Sequence, residues 1–395
     1  MYKFLLIFIL FSSVLPHNDS AQKKVISQAK QYIKSGKDLD KAEKIITDLL
    51  NDSLQIKDRQ KAQNILFDIL KAKYEQGNEL LYLKHPYDTI SHYTTIIKMF
   101  NALEKLDSID ESSNLNPKYK EKHAHYLYPL RPNLYYGGLF FIRKEDYKRA
   151  YLFCEKYIES ANTSLFVNVY KQESDSLMAK AAAWTVYCGY KLNDYERLMK
   201  YSSLAVKDTA QLAFVYQYMA EGYKQIGDYT KYADLLEIGF NKYPTFPFFF
   251  PRLIDYYNDI GNYEKSMSIV DKALEVDSTN INYMFAKSTI LLNTGKYDEC
   301  IDLCKKLIEE NDSLAEAYYN FGVSYYNQAI ALDKYQQRSK KNKDRIRELY
   351  SMSKPLLERF RELAPEQKNK WFPILYTIYL NLNMGEEFDE INRLK

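Results

Sequence analysis

Glycine and proline are scarce in this chain, 12 and 11 among 395 residues. Strand-and-turn architectures need more punctuation than that, so the composition points to helices. Cysteine is scarcer still, at four. Cys300 and Cys304 are four apart and share one helical face, a geometry that suits packing better than bridging. Cys154 and Cys188 also fall at apolar-periodic positions, so all four are expected as buried free thiols. Neither sign of charge is in excess: Lys plus Arg is 55, Asp plus Glu is 52, and the net charge is +3. Such a balance leaves no electrostatic footprint for nucleic acid. Beyond the N-terminal segment no apolar run approaches about 18 residues, which excludes a helical membrane span there. A Gly-rich phosphate loop, a G-x-S-x-G elbow and H-E-x-x-H are all missing, so no enzyme class and no cofactor is implied. The five histidines are His17, His85, His92, His123 and His125. His123 and His125 would face nearly opposite sides of a helix, and no Cys or carboxylate cluster completes a metal site. All five are expected at the surface.

What is present begins with a targeting pattern. Lys3 supplies a positive start, residues 4–15 form a short apolar run, Pro16 breaks it, and Ser20-Ala21 offers small residues for cleavage before Gln22. The run is too short to span a bilayer and reads as a signal peptide, residues 1–21. No Cys follows it, which speaks against a lipid-anchored N-terminus. The expected location is therefore periplasmic or cell-surface.

Further along, the chain repeats itself. "NDYERLMKYSSLAV" begins at Asn193, "GDYTKYADLLEIGF" at Gly227, "GNYEKSMSIVDKAL" at Gly261 and "GKYDECIDLCKKLI" at Gly295, a constant interval of 34 residues. Tyr195, Tyr229, Tyr263 and Tyr297 keep that interval. A helix is predicted before each Gly or Asn, over 183–192, 214–226, 251–260 and 283–294. The Gly or Asn ends it as a left-handed cap. A second apolar-periodic helix follows, for example through Tyr263, Met267, Val270 and Leu274. One hairpin cannot bury both apolar faces, whereas stacked neighbours can, so the array is a solenoid.

These residues resemble the tetratricopeptide repeat family. In "AEAYYNFGVSYYNQ", from Ala315, Tyr318 takes the family's large-aromatic position, Gly322 its small crossing position and Tyr325 its tyrosine. Earlier copies hold Tyr216, Ala220 and Tyr223; Phe250, Ile254 and Tyr257; and Met284, Ser288 and Leu291. Residues 133–161 also fit through Gly138, Tyr147 and Ala150, and about 14 extra residues around 166–176 precede the next copy. The resemblance covers about residues 130–395. It implies an all-α, right-handed superhelical solenoid of helical hairpins over 128–395, with a basic insertion near 333–347 and a capping hairpin at 371–391. Residues 22–127 are helical by pattern, with helices over 59–82 and 87–106 and a loop at 112–119, and could hold divergent copies.

In this family the first helix of each pair lines a concave groove. The matching residues are Phe214, Gln217, Glu221 and Lys224; Phe248, Pro251, Asp255 and Asn258; Asn282, Phe285, Thr289 and Leu292; and Glu316, Tyr319, Val323 and Tyr326. Mixed apolar, aromatic and amide groups suit a peptide or protein segment. The family's chaperone-tail clamp holds carboxylates with Lys, Arg and Asn. Only Lys224 and the asparagines resemble it, so carboxylate-tail recognition is disfavoured. The expected function is a non-enzymatic scaffold that binds a peptide or protein partner, with oligomeric state left open. The alternative is an envelope protein that binds a glycan or small ligand. Stacked Tyr and Trp in the groove would favour sugar, but Trp184 and Trp371 fall at or near packing positions.

Three local stretches remain. "YPTFPFFFPR", 243–252, falls on the junction between two repeats. There Pro247 should begin a helix, Phe249 and Phe250 should enter the seam, and Phe248 should point to the concave face. "RSKKNKDRIR", 338–347, is a basic run that reads as a solvated extension. Asp-Ser/Thr pairs recur at Asp52, Asp107, Asp175, Asp208, Asp277 and Asp312, several at hairpin junctions, where helix capping explains them. They also resemble an O-glycosylation acceptor of exported bacterial proteins.

Overall fold

The computed structural model describes residues 18–51, 56–112, 120–170, 175–335 and 340–394. Residues 1–17 of the targeting pattern, Asp52-Ser53 and residues 113–119 of the predicted loop lie outside these, whereas 18–21 open the first helix and Ser112 ends a helix. Among the described residues every regular element is an α or 3-10 helix, and no helix is long and apolar enough to cross a membrane. The chain divides into two compact units, Met1–Ile226 and Gly227–Lys395.

In the first unit run α1 (Asn18–Ser35), α2 (Leu39–Asn51), α3 (Ile56–Tyr82), α4 (Thr89–Ser112), α5 (Lys120–Leu127), α6 (Arg131–Arg143), α7 (Tyr147–Ser160), α8 (Met178–Lys191), α9 (Tyr195–Lys200), α10 (Ser202–Ala205) and α11 (Leu212–Gln225). The second holds α12 (Tyr229–Lys242), α13 (Phe249–Asp259), α14 (Tyr263–Val276), α15 (Ile281–Asn293), α16 (Tyr297–Glu310), α17 (Ala315–Tyr335), α18 (Lys340–Leu363), α19 (Lys368–Leu382) and α20 (Gly385–Asn392). Within each unit most consecutive helices pack on one another, as solenoid stacking requires, and α8 packs on α11 and α15 on α17.

The repeated triplet turns out to be a complete helix-to-helix connector. Asn193, Gly227, Gly261 and Gly295 have φ of 51°, 78°, 73° and 75°, the left-handed conformation that closes the first helix. The next residue opens the second. The side chains of Asp194, Asp228 and Asn262 accept the backbone N–H of Arg197, Lys231 and Lys265. Each such cap is worth about 1 kcal/mol. Lys296 holds that place in the fourth copy and cannot accept. Glu145 (φ 58°) and Asp146, which caps through Arg149 N–H, build the same connector between α6 and α7.

Close helix crossings explain the small residues. A Cβ on Gly189 would stand 2.4 Å from Leu198 N, and one on Gly138 would stand 2.5 Å from Cys154 Sγ. All four cysteines are buried with free thiols, and the sulfurs of Cys300 and Cys304 lie 3.9 Å apart.

The aromatic stretch at 243–252 is a seam. Phe249 is fully buried over Gly239, where a Cβ would come within 2.3 Å of its ring. Phe250 stands between Phe240 (6.2 Å) and Tyr283 (4.5 Å). Pro247 precedes the helix rather than beginning it, since α13 starts at Phe249. Pro251 sits in its first turn, where its missing N–H costs nothing.

The described part of the basic run is mostly exposed, as a solvated extension would be, and it is helical. Residues 340–347 form the start of α18, and α17 extends to Tyr335, so the insertion lengthens both helices of one hairpin. These helices have 21 and 24 residues, against 14 in α12, α14 and α16. The extra residues after α7 are tied down by Arg131. Its guanidinium donates to Ser160 Oγ (2.9 Å), Tyr157 O (3.0 Å) and Asp175 Oδ2 (3.0 Å), and lies over the Tyr157 and Tyr170 rings. Tyr157 donates its hydroxyl to the other Asp175 oxygen. Asp175, Asp208 and Asp277 accept the N–H two residues on, from Leu177, Ala210 and Thr279. They make turns between hairpins rather than helix caps.

Candidate functional site

The first helices of the repeats place the candidate residues in three groups with different fates. In the second unit α13 and α15 run side by side behind the seam. Between them opens a cavity of about 450 Å³. Phe246, Pro247, Phe250, Ile254 and Phe285 give it apolar walls, and Asp255, Asn258, Asn282 and Thr289 give it polar ones. Asp255, Asn258, Asn282, Phe285 and Thr289, expected to share a groove, therefore do share one cavity.

The polar groups differ in how much of their bonding capacity is already used. Asn280 caps α15, accepting from Asn282 N (3.1 Å) and Tyr283 N (3.4 Å), and its amide donates to Asp277. Thr289 donates to Phe285 O and accepts from Asn320 Nδ2 (3.0 Å). Behind it Asn320 also donates to Ser288 Oγ (2.9 Å), and the Cys300 thiol points to Ser288 O. This buried polar layer fixes α15 against α16 and α17. Asn258 is different: its Oδ1 is buried and accepts no hydrogen bond among the described residues. An unmade bond of this kind costs about 1–3 kcal/mol.

Five residues expected on the same surface do not reach that cavity. Phe248 does not point to the concave face; it is 6% exposed, edge-on to Phe249 and covered by the Arg252 guanidinium at 3.8 Å. On α17, Val323 is buried, Tyr319 stacks on Phe360 (4.9 Å) and Tyr326 lies 5.9 Å from Tyr350. Glu316 accepts from Gln367 Nε2. The long α18 and the start of α19 thus cover much of the α17 face. Tyr319 feels the burial, which pushes its hydroxyl above the ordinary tyrosine range.

In the first unit α11 carries Phe214, Gln217, Glu221 and Lys224. Phe214 is exposed and lines a second cavity, of about 290 Å³, with Ile142, Ala183, Trp184, Tyr187, Gln211, Val215 and Tyr218. Gln217 and Glu221 are half-buried and Lys224 is exposed; none of the three lines that cavity. Trp184 corrects the sequence reading. It packs against the core, as its position implied, edge-on to Tyr187 at 5.7 Å, yet it also lines the cavity. Trp371 is buried, as expected.

The histidines are not all at the surface. His92 is half-buried, stacked on Tyr74 at 5.0 Å with Tyr87 and Tyr93 around it. Burial holds its pKa below 6.5. His123 is half-buried against Phe67 and shifts the same way for the same cause. No group of three or more His, Cys, Asp or Glu among the described residues could hold a metal ion.

No family model matches the chain. Among curated proteins it is similar to Hsp70-Hsp90 organizing protein 1 of Arabidopsis thaliana, 26% identical over 108 residues, which is 27% of this chain and 17% of the relative. It is likewise similar to the Hsp70-Hsp90 organizing protein of Triticum aestivum, 30% identical over 79 residues, 20% of this chain and 14% of the relative. The matched segments thus span about one sixth of those relatives. Among solved structures it is similar to the C-terminal part of a TPR repeat-containing protein from Cytophaga hutchinsonii. That match has a TM-score of 0.43 and 13% identity, and covers 65% of this chain and 88% of the other. With its 34-residue period, left-handed connectors and paired helices, the chain is an all-α array of tetratricopeptide-type hairpins.

Proposed function

We propose that the chain is a non-enzymatic scaffold that binds an extended segment of a partner protein across α13 and α15. The observation that carries this reading is the 450 Å³ cavity, with apolar walls from Phe246, Phe250 and Phe285 and polar groups from Asn258, Asn282 and Thr289. An apolar anchor side chain fits the walls, and the backbone amides beside it can meet the exposed Asn282 amide. Asp255 on the wall disfavours a carboxylate ligand, in line with the weak match to the chaperone-tail clamp. The curated relatives are named for organizing Hsp70 and Hsp90; from them we adopt protein binding as the class, without those partners.

Panning a displayed library of random peptides against the wild-type protein tests this, with Phe285→Ala as counter-selection. Enrichment of peptides that share an apolar anchor and are lost on the variant supports the reading. Equal recovery on both proteins contradicts it.

We further propose that the protein is exported to the cell envelope, on the strength of residues 1–21. Fused to a phosphatase that is active only outside the cytoplasm, residues 1–30 should give an active enzyme. An inactive fusion at equal expression rejects export.

A further inference from the structure

The cavity of the first unit has a chemistry that the peptide reading does not use. Its lining combines the rings of Trp184, Tyr187, Phe214 and Tyr218 with the aliphatic Ile142 and Val215. The rings form a continuous set: Trp184 to Tyr187 is 5.7 Å, Tyr187 to Tyr218 is 5.3 Å, and Phe214 stacks on Tyr218 at 6.4 Å. Tyr190 stacks on Tyr218 at 4.8 Å. Tyr187 in turn lies edge-on to the Tyr147 ring at 5.8 Å. What the cavity offers is therefore ring faces, with Gln211 as the single amide of the lining.

This chemistry selects among ligand classes. A cation is disfavoured, because the Lys191 ammonium already sits 5.7 Å from both the Tyr147 and Tyr187 rings. An anion finds no basic side chain in the lining. A peptide backbone needs several amides, as on α13 and α15 of the second unit, and finds one. A neutral sugar ring fits on each count. Its axial C–H groups carry slight positive charge and pack on the negative faces of aromatic rings. Its equatorial hydroxyls stay at the rim for Gln211 and water. A volume of about 290 Å³ lies at the lower end for small-ligand cavities, the size of one sugar unit rather than a long chain. We propose that this cavity is a saccharide-binding site that stacks one pyranose ring on Trp184, Tyr187, Phe214 and Tyr218, separate from the peptide cavity.

The test is titration of the full chain with neutral trisaccharides built from glucose, galactose, mannose or N-acetylglucosamine, read by tryptophan fluorescence and calorimetry. Trp371 is 4% exposed, so a saturable fluorescence change reports Trp184. Saturable binding by at least one sugar is expected, weakened about tenfold by Phe214→Ala. Phe214 is 43% exposed, so this variant should keep the wild-type melting temperature, and Lys224→Ala on the same helix should bind normally. No saturable change with any of the sugars up to about 10 mM overturns the proposal. So does equal affinity of the Phe214→Ala protein, or a proline-rich peptide that quenches Trp184 where the sugars do not.

Discussion

The pairs α13–α15 and α8–α11 are built on the same frame and lined for different tasks. Both place two first helices side by side, each closed by a left-handed residue. In the second unit the space between them carries three asparagines, two threonines and an aspartate beside its aromatic rings. In the first it carries four aromatic rings and one amide. The difference teaches that period and connector set the spacing of the helices, whereas the residues one step off the packing positions set the ligand chemistry. It also shows that a shared frame does not guarantee an open face: on α17 the same positions are covered by α18 and α19.

The largest effect is expected at Arg131, which exists only on the first unit's side of that comparison. Arg131 and Asp175 are 4% and 5% exposed as side chains. Arg131→Ala should destabilise the first unit by about 3–5 kcal/mol, because Asp175 is left buried without its partner. Denaturant unfolding measures this, and a loss below about 1 kcal/mol means the insertion is not held as described.

Two glycines sharpen the contrast between crowding and backbone conformation. Gly239→Ala places a Cβ 2.3 Å from the Phe249 ring and should cost about 1–3 kcal/mol by overpacking. Gly261→Ala meets nothing within 4 Å and should cost about 1 kcal/mol, through its φ of 73° alone. The reverse order in melting experiments would mean that the seam yields more readily than the connector.

Acid should act on the first unit through His92 and His123. Burial depresses both imidazoles below 6.5 in the folded state. The unfolded chain therefore takes up protons first as the pH falls. Stability is full above the ordinary imidazole value and declines as the pH drops from 6.5 toward the folded pKa. His92→Phe should reduce that slope, and an unchanged slope assigns the acid sensitivity elsewhere.

The smallest effect belongs to the long hairpin. The first turn of α18 holds no acidic residue and begins with Lys340 and Lys341, the wrong sign for a helix N-terminus. Lys341→Glu should stabilise it by about 0.3–1 kcal/mol. A loss of stability instead would show that the lysine has a partner.

Much of the frame was legible because it is periodic. Asn193, Gly227, Gly261 and Gly295 announce themselves by residue type and interval. The connector at Glu145 does not, since a glutamate in the left-handed conformation carries no sequence signal, and Lys84 (φ 56°) hides in the same way. Nor does the capping role of Asp194, Asp228 and Asn262 show until the helix starts are placed. The cavity on α13 and α15 was half legible: alignment marked Asp255, Asn258, Asn282, Phe285 and Thr289, but not that Asn258 keeps an unfilled acceptor. Phe248 was misplaced because helix α13 begins two residues after Pro247, which turns that ring inward. Trp184 was missed because one ring can pack and line a cavity at once, and periodicity reports only the packing. The covered face of α17 depends on how far α18 extends, which a basic run read as a solvated extension conceals.

The most direct measurement takes one peptide selected on the wild-type protein and compares its affinity for wild type, Phe285→Ala and Phe214→Ala by calorimetry. Binding that falls at least about tenfold with Phe285→Ala and holds with Phe214→Ala is the predicted result. Binding that survives Phe285→Ala, or that falls only with Phe214→Ala, would contradict the placement of the partner segment on α13 and α15.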